Sequence, residues 1–110
     1  MIGRWSEWQK FPNPAEGGLL IAPFGFGCYE LRNGGQLVLY GKDKNAAVRM
    51  TSLLPAPIGT GTRKNEEKRK YVRRNLAAIE YRTIAFTNES DMDACEAKRE
   101  SKRHLYLFPT

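Results

Sequence analysis

Asn33-Gly34-Gly35 stands between two short runs in which apolar and polar residues alternate, 28–32 and 36–40, and this arrangement leaves the segment few folding options. Alternation with a period of two sends successive side chains to opposite faces of an extended strand. The glycines supply the positive φ that a tight reversal between strands requires. The segment therefore predicts a β-hairpin, and its register decides which side chains share a face. A two-residue turn, either Asn33-Gly34 or Gly34-Gly35, places Tyr29 opposite Val38 or Tyr40, with Tyr29, Leu31, Val38 and Tyr40 on one face. A three-residue turn places Leu39 opposite Tyr29 and sends Tyr40 to the other face.

The remaining elements follow from periodicity and punctuation. Residues 44–54 carry apolar or small side chains at Ala47, Val48, Leu53 and Leu54, with Asp43 or Asn45 as cap and Pro55 as stop, which predicts a short amphipathic helix. A Pro/Gly loop fills 55–62. Asn65 then heads a second helix whose first turn holds Glu66 and Glu67 and whose body holds Lys68, Arg69, Lys70, Arg73 and Arg74. Residues 79–86 alternate again, a third strand to pair with the hairpin. Ser90, with Asp93 three residues on, opens a third helix running to about residue 103. The order predicts an α+β fold, a small three-stranded antiparallel sheet flanked by about three helices. Residues 1–26 hold both tryptophans and the turn-prone Pro12-Asn13-Pro14 and Gly17-Gly18, and read as an irregular aromatic arm packing on a domain formed by 27–110.

Length and charge narrow the function. A chain of 110 residues supports one modest core, so every functional group has to come from that scaffold. A net charge of +6 favours a polyanionic partner, because Lys and Arg that neutralise phosphates release condensed counterions. No apolar run approaches the roughly 20 residues needed to span a bilayer, and the N-terminus lacks the apolar core of a signal peptide, which leads to the expectation of a soluble, cytoplasmic protein. Cys28 and Cys95 form no CxxC pair and His104 is the single histidine, so zinc is not expected and both cysteines read as small buried hydrophobes. Trp5 and Trp8 read as core fillers rather than base-stacking rings. Gly59-Thr60-Gly61-Thr62 has no Lys followed by Ser or Thr as a phosphate loop requires, and Gly25-Phe26-Gly27 lacks the third glycine of a dinucleotide site.

One ordered constellation remains: Gly27-Cys28-Tyr29, then Leu39-Tyr40-Gly41-Lys42 and Asn45, then Arg49 eight residues after Gly41, and Glu96 on the last helix. In this order and spacing, over about residues 25–107, the chain resembles the GIY-YIG nuclease family. The resemblance implies metal-dependent hydrolysis of a phosphodiester in nucleic acid, with DNA the expected substrate and Mg²⁺ or Mn²⁺ the expected ion. By matched position it assigns Tyr29 to the activation of water, Arg49 to the phosphate and Glu96 to the metal, with Lys42 as a phosphate or water ligand. Tyr40 joins Tyr29 in the site if the hairpin turn has two residues. The basic block 63–74, with Arg63, Lys64, Lys68, Arg69 and Arg73, would track the nucleic-acid backbone.

The sequence departs from the family pattern in three places. Counted back from Gly41, Leu39 stands where the second motif has its tyrosine and Tyr40 where it has an aliphatic residue, so the match is either LYG for YIG or a one-residue slip. Leu53 stands one helical turn after Arg49, where a histidine or tyrosine is frequent. The frequent terminal asparagine is not evident in His104-Leu105-Tyr106-Leu107-Phe108. Glu100, one turn after Glu96, competes with it for the metal. The rival to an endonuclease is a nucleic-acid-binding module of the same fold whose site has lost its chemistry. A third reading is a protein-interaction domain that docks through its aromatic arm.

Overall fold

The computed structural model describes residues 4–13, 20, 25–51 and 66–108, and for residues 48, 49 and 51 the backbone alone. Four antiparallel strands form one sheet in the order β1-β4-β2-β3, with β1 at Gln9–Lys10, β2 at Gly27–Asn33, β3 at Gln36–Asp43 and β4 at Ile79–Ala85. Among the described residues three α-helices accompany them: α1 Ala46–Thr51, α2 Glu66–Arg74 and α3 Glu89–Glu100. The expected α+β class is thus found, with a fourth strand added. The predicted loop at 55–62, and residues 52–54 and Asn65 beside it, lie outside the described residues.

The fourth strand comes from the N-terminal segment that sequence alone reads as irregular. Gln9 pairs with Tyr81 and Lys10 with Glu80. The backbone N–H of Ser6 donates to the Thr83 carbonyl, and that of Phe11 to the Ile79 carbonyl, so contact with β4 extends well beyond the two strand residues. Turn-formers at Pro12-Asn13-Pro14 hid a short extended stretch that owes its conformation to a partner strand rather than to local propensity.

The hairpin turns through Gly34 and Gly35, with Asn33 opposite Gln36 and Gly34 at φ +58. The turn is therefore one of the two-residue options, but its expected register does not propagate. A bulge between Leu31 and Arg32 pairs Arg32 with Leu37 and Leu31 with Leu39, skipping Val38. Every pair beyond it is displaced by one: Glu30 faces Tyr40, Tyr29 faces Gly41 and Cys28 faces Lys42. One inserted residue inverts the facing of all that follows, because side chains alternate with period two.

The sheet separates two cores. On one side Phe11, Tyr29, Leu31, Leu39, Ile79 and Tyr81 pack with Ala46 and Met50 of α1 and Val72 of α2. Val38 and Leu39 both reach this core, as a bulge permits. Each such buried side chain contributes about 1.5–3 kcal/mol. On the other side Cys28, Ile84 and Phe86 pack with Met92 and Cys95 of α3, and with Trp5 and Phe26. Chain beyond α3 makes a 3-10 turn at Arg103–Leu105 and then lies beside β3, with Leu37 bridging Tyr106 in parallel fashion.

Asn88, not Ser90, caps α3: its side-chain oxygen accepts from the Asp91 N–H at 2.8 Å. Asn88→Ala is expected to lower stability by about 1 kcal/mol, read as a shift of the urea midpoint, and Ser90→Ala to leave that midpoint in place. At the start of α1, Asp43 accepts from the Asn45 N–H at 2.9 Å.

Candidate functional site

The bulge decides the fate of the residues that the resemblance brings together. Tyr29 lies in the core on the α1 and α2 side, its ring directly over Gly41, where an added Cβ would meet its hydroxyl and come within 2.5 Å of its Cζ. Arg49 belongs to α1, the helix on that side, but its side chain falls outside the described residues. Tyr40, Lys42 and Glu96 lie on the opposite face. The expected union of Tyr29 with Tyr40 is therefore corrected: the displaced register sets Tyr40 against Glu30, and packs its ring 4.8 Å from that of Tyr106. A sheet thus stands between Tyr29 and the Lys42–Glu96 pair.

On the α3 side, Lys42 Nζ meets Asp93 Oδ1 at 2.6 Å and Glu96 Oε1 at 3.3 Å. The two carboxylates sit three residues apart, one helical turn, and so converge on the same point. The hydrogen bond to Asp93 is the main reason that the Lys42 ammonium is held above its usual pKa, with Glu96 adding to it against a desolvation that lowers it. Tyr40 is also raised, first by burial and then by the negative charges of Glu100 and Glu96. Both shifts run against general-base chemistry, which would need these groups to lose protons more easily.

The metal implied by the resemblance finds a poor donor set here. Asp93 and Glu96 already hold a cation, the Lys42 ammonium, and no group of three or more His, Cys, Asp or Glu side chains gathers for an ion among the described residues. Among the described residues Glu96 is an ion-pair partner of Lys42.

The basic surface is partly described. In α2, Lys70 is engaged by Glu66 at 3.5 Å and Glu67 at 3.9 Å, whereas Arg73 and Arg74 at its C-terminal end are exposed. Val72 anchors the helix, and Tyr71 ties it to the hairpin by accepting from Asn33 Nδ2 at 3.1 Å. Lys68 and Arg69 are half-buried; Arg63 and Lys64 lie outside the described residues.

Sequence reasoning missed a second ionic centre. Glu30, only 1 % exposed, is bound by Arg82 and accepts from the Tyr106 hydroxyl, while Arg99 approaches its carboxylate at 3.8 Å. Burial and the hydrogen bond to Glu30 push the Tyr106 phenol well above its usual pKa, so it remains a donor. The guanidinium of Arg82 lies over the rings of Trp5 and Trp8, at 4.6 and 4.7 Å; Arg32 lies 4.2 Å from Trp8 and Arg99 5.4 Å from Trp5. Cation–π contacts thus tie both tryptophans of the arm to arginines of the sheet and of α3. The one available signal was a charged residue in the middle of a strand with Cys28 on the same face, a face that sequence alone gives no reason to bury.

Beside this centre lies a pocket of about 320 Å³ whose walls include Arg4, Trp5, Phe86, Cys95, Lys98 and Arg99. No helix among the described residues is long and apolar enough to cross a membrane. Comparison of the chain with known protein families, with curated proteins and with solved structures gives no match.

Proposed function

We propose that the protein binds nucleic acid, with DNA the first candidate, and does not cleave it: a module that keeps an α+β scaffold and a basic surface without one hydrolytic centre. The observation that carries this reading is the division of the nuclease-type residues between two faces of the sheet, with Tyr29 packed over Gly41 on one and Lys42 paired to Asp93 and Glu96 on the other. Hydrolysis of a phosphodiester needs a positioned water, a Lewis acid and a cation at a common point. Binding needs only cations spread along a phosphate backbone, and the net charge of +6 with Arg73 and Arg74 at the open end of α2 is suited to that.

Binding to a labelled duplex is expected to weaken steeply with salt. Arg73→Glu with Arg74→Glu should reduce affinity by about tenfold or more and flatten the plot of log K against log salt by roughly 1.8, the share of two phosphate contacts. Supercoiled plasmid incubated with Mg²⁺ or Mn²⁺ is expected to stay intact. Nicking by the wild type that is lost in Glu96→Ala and in Tyr29→Phe would replace the binding reading with the nuclease one. Duplex binding that ignores salt and the two arginines would remove both.

A further inference from the structure

The cysteines carry an inference independent of nucleic acid. Cys28 on β2 belongs to a small buried cluster, and Cys95 on α3 packs against that cluster, near enough for each thiol to shift the pKa of the other. Cys28 is sealed in, 1 % exposed, and its thiol donates to the Met92 carbonyl at 3.5 Å, one turn before Cys95. Cys95 is only half-buried and opens on the 320 Å³ pocket. An accessible sulfur with a second, inaccessible sulfur behind it is the arrangement in which oxidation at the first is resolved by the second.

We propose that Cys95 is a hydroperoxide-reactive thiol and Cys28 its resolving partner, the pocket admitting a small hydroperoxide and the chain answering it by closing a Cys28–Cys95 disulfide. The Cys95 thiolate attacks one peroxide oxygen and the O–O bond breaks. Cys95 becomes a sulfenic acid, and the departing hydroxide or alkoxide takes a proton from solvent. Cys28 then attacks the sulfur of that sulfenic acid; the S–S bond forms, and the Cys28 proton leaves with the hydroxyl as water. In sum two thiols are oxidised, and one hydroperoxide is reduced to an alcohol, or to water, with release of a further water.

The surroundings suit both steps. Trp5, Ile84 and Phe86 give the pocket apolar walls for an alkyl group, while Arg4, Lys98 and Arg99 set positive charge where the departing oxygen becomes anionic. The neighbouring Cys28 thiol first, and then the cations Arg99 and Lys98, bring Cys95 down to about 7, against the opposing effects of burial and Glu30. Cys28 is pushed up first by the adjacent Cys95, then by burial.

The groups facing Cys95 are Cys28 and Glu30 from β2, Arg82 of β4 through its pair with Glu30, Arg4 from the N-terminal segment, and Asp91, Lys98 and Arg99 from α3 itself. Alkylation of Cys95 by iodoacetamide is accordingly expected to rise through a midpoint near pH 7, whereas an ordinary thiol has its midpoint at about 8.5.

The test uses the reduced, full-length chain with hydrogen peroxide and, separately, tert-butyl hydroperoxide at pH 7. The expected result is an intact mass lower by about 2 Da and a non-reducing peptide map joining Cys28 to Cys95. The folded chain should react about tenfold faster than the chain unfolded in urea, in keeping with its larger thiolate fraction. In Cys28→Ser, dimedone should trap a sulfenic acid on Cys95; in Cys95→Ser, neither adduct nor disulfide should form. A wild-type mass that stays unchanged, a gain of oxygen on Cys95 with no disulfide, or equal rates folded and unfolded would each overturn the proposal. Because the wild type decides these points by itself, a Cys28→Ser chain that fails to fold does not rescue it.

Discussion

Glu30→Ala is expected to cost the fold about 3–5 kcal/mol, the range for breaking a buried ion pair by deleting one partner, and to lower Tm by on the order of 15 °C. Removal of the carboxylate leaves the Arg82 guanidinium, 26 % exposed, without the anion it binds, and Arg99 and the Tyr106 hydroxyl without their common acceptor. Stacking on Trp5 and Trp8 keeps Arg82 in place but supplies no countercharge. Tyr106→Phe, which deletes one hydrogen bond to the same carboxylate, should cost about 2 kcal/mol, and the double variant less than the sum, since both changes act on one network. Thermal and urea unfolding of the four chains measure this directly. A Glu30→Ala chain within 1 kcal/mol of the wild type would mean that the arginines are held by their aromatic contacts alone.

Gly41→Ala is the second large effect. A methyl at this position would meet the Tyr29 hydroxyl and lie 2.5 Å from its Cζ, in a core that gives the ring little room to withdraw. Overpacking of this kind costs typically 1–3 kcal/mol, and this contact belongs at about 3 kcal/mol. The cost should fall in a Tyr29→Leu background, where the ring is gone, so a double-mutant cycle is expected to show about 1–2 kcal/mol of favourable coupling. Additive effects would contradict the cross-strand packing of Tyr29 on Gly41.

Local rules carried the reading of the fold a long way. Gly34 at positive φ, the acidic first turn and basic body of α2, and the alternation of Ile79, Tyr81 and Thr83 are all properties of short segments, and all are found as expected. Two features depended on partners distant in sequence. β1 exists because β4 offers a free edge to Gln9 and Lys10, and the bulge at Val38 exists because Leu39 and Val38 both find places in the core of Tyr29 and Leu31. Counting residues from the hairpin turn assumes an unbroken ladder, and a single unpaired residue undoes it. The candidate site was legible to the same degree. Lys42 and Glu96, both named as site residues, do lie together, but through an ion pair that no sequence pattern indicated. Their separation from Tyr29 follows from the bulge, and the pairing of Cys28 with Cys95 follows from the packing of α3, which no local pattern announces.

The stretch that follows α3 has a further consequence for the molecule's life in solution. Leu107 and Phe108 donate their backbone N–H groups to the Leu37 and Val38 carbonyls, at 3.0 and 2.8 Å, and Gln36 reaches the Leu105 carbonyl with its side chain. Among the described residues the outer rim of β3 is therefore occupied along its first half by the chain's own tail. The opposite rim belongs to β1, two residues long and carrying the exposed Lys10. Exposed strand edges invite other chains to add to a sheet, and short or charged edges discourage them. In a crowded solution the tail and the lysine would both act against edge-to-edge growth of the sheet into larger assemblies.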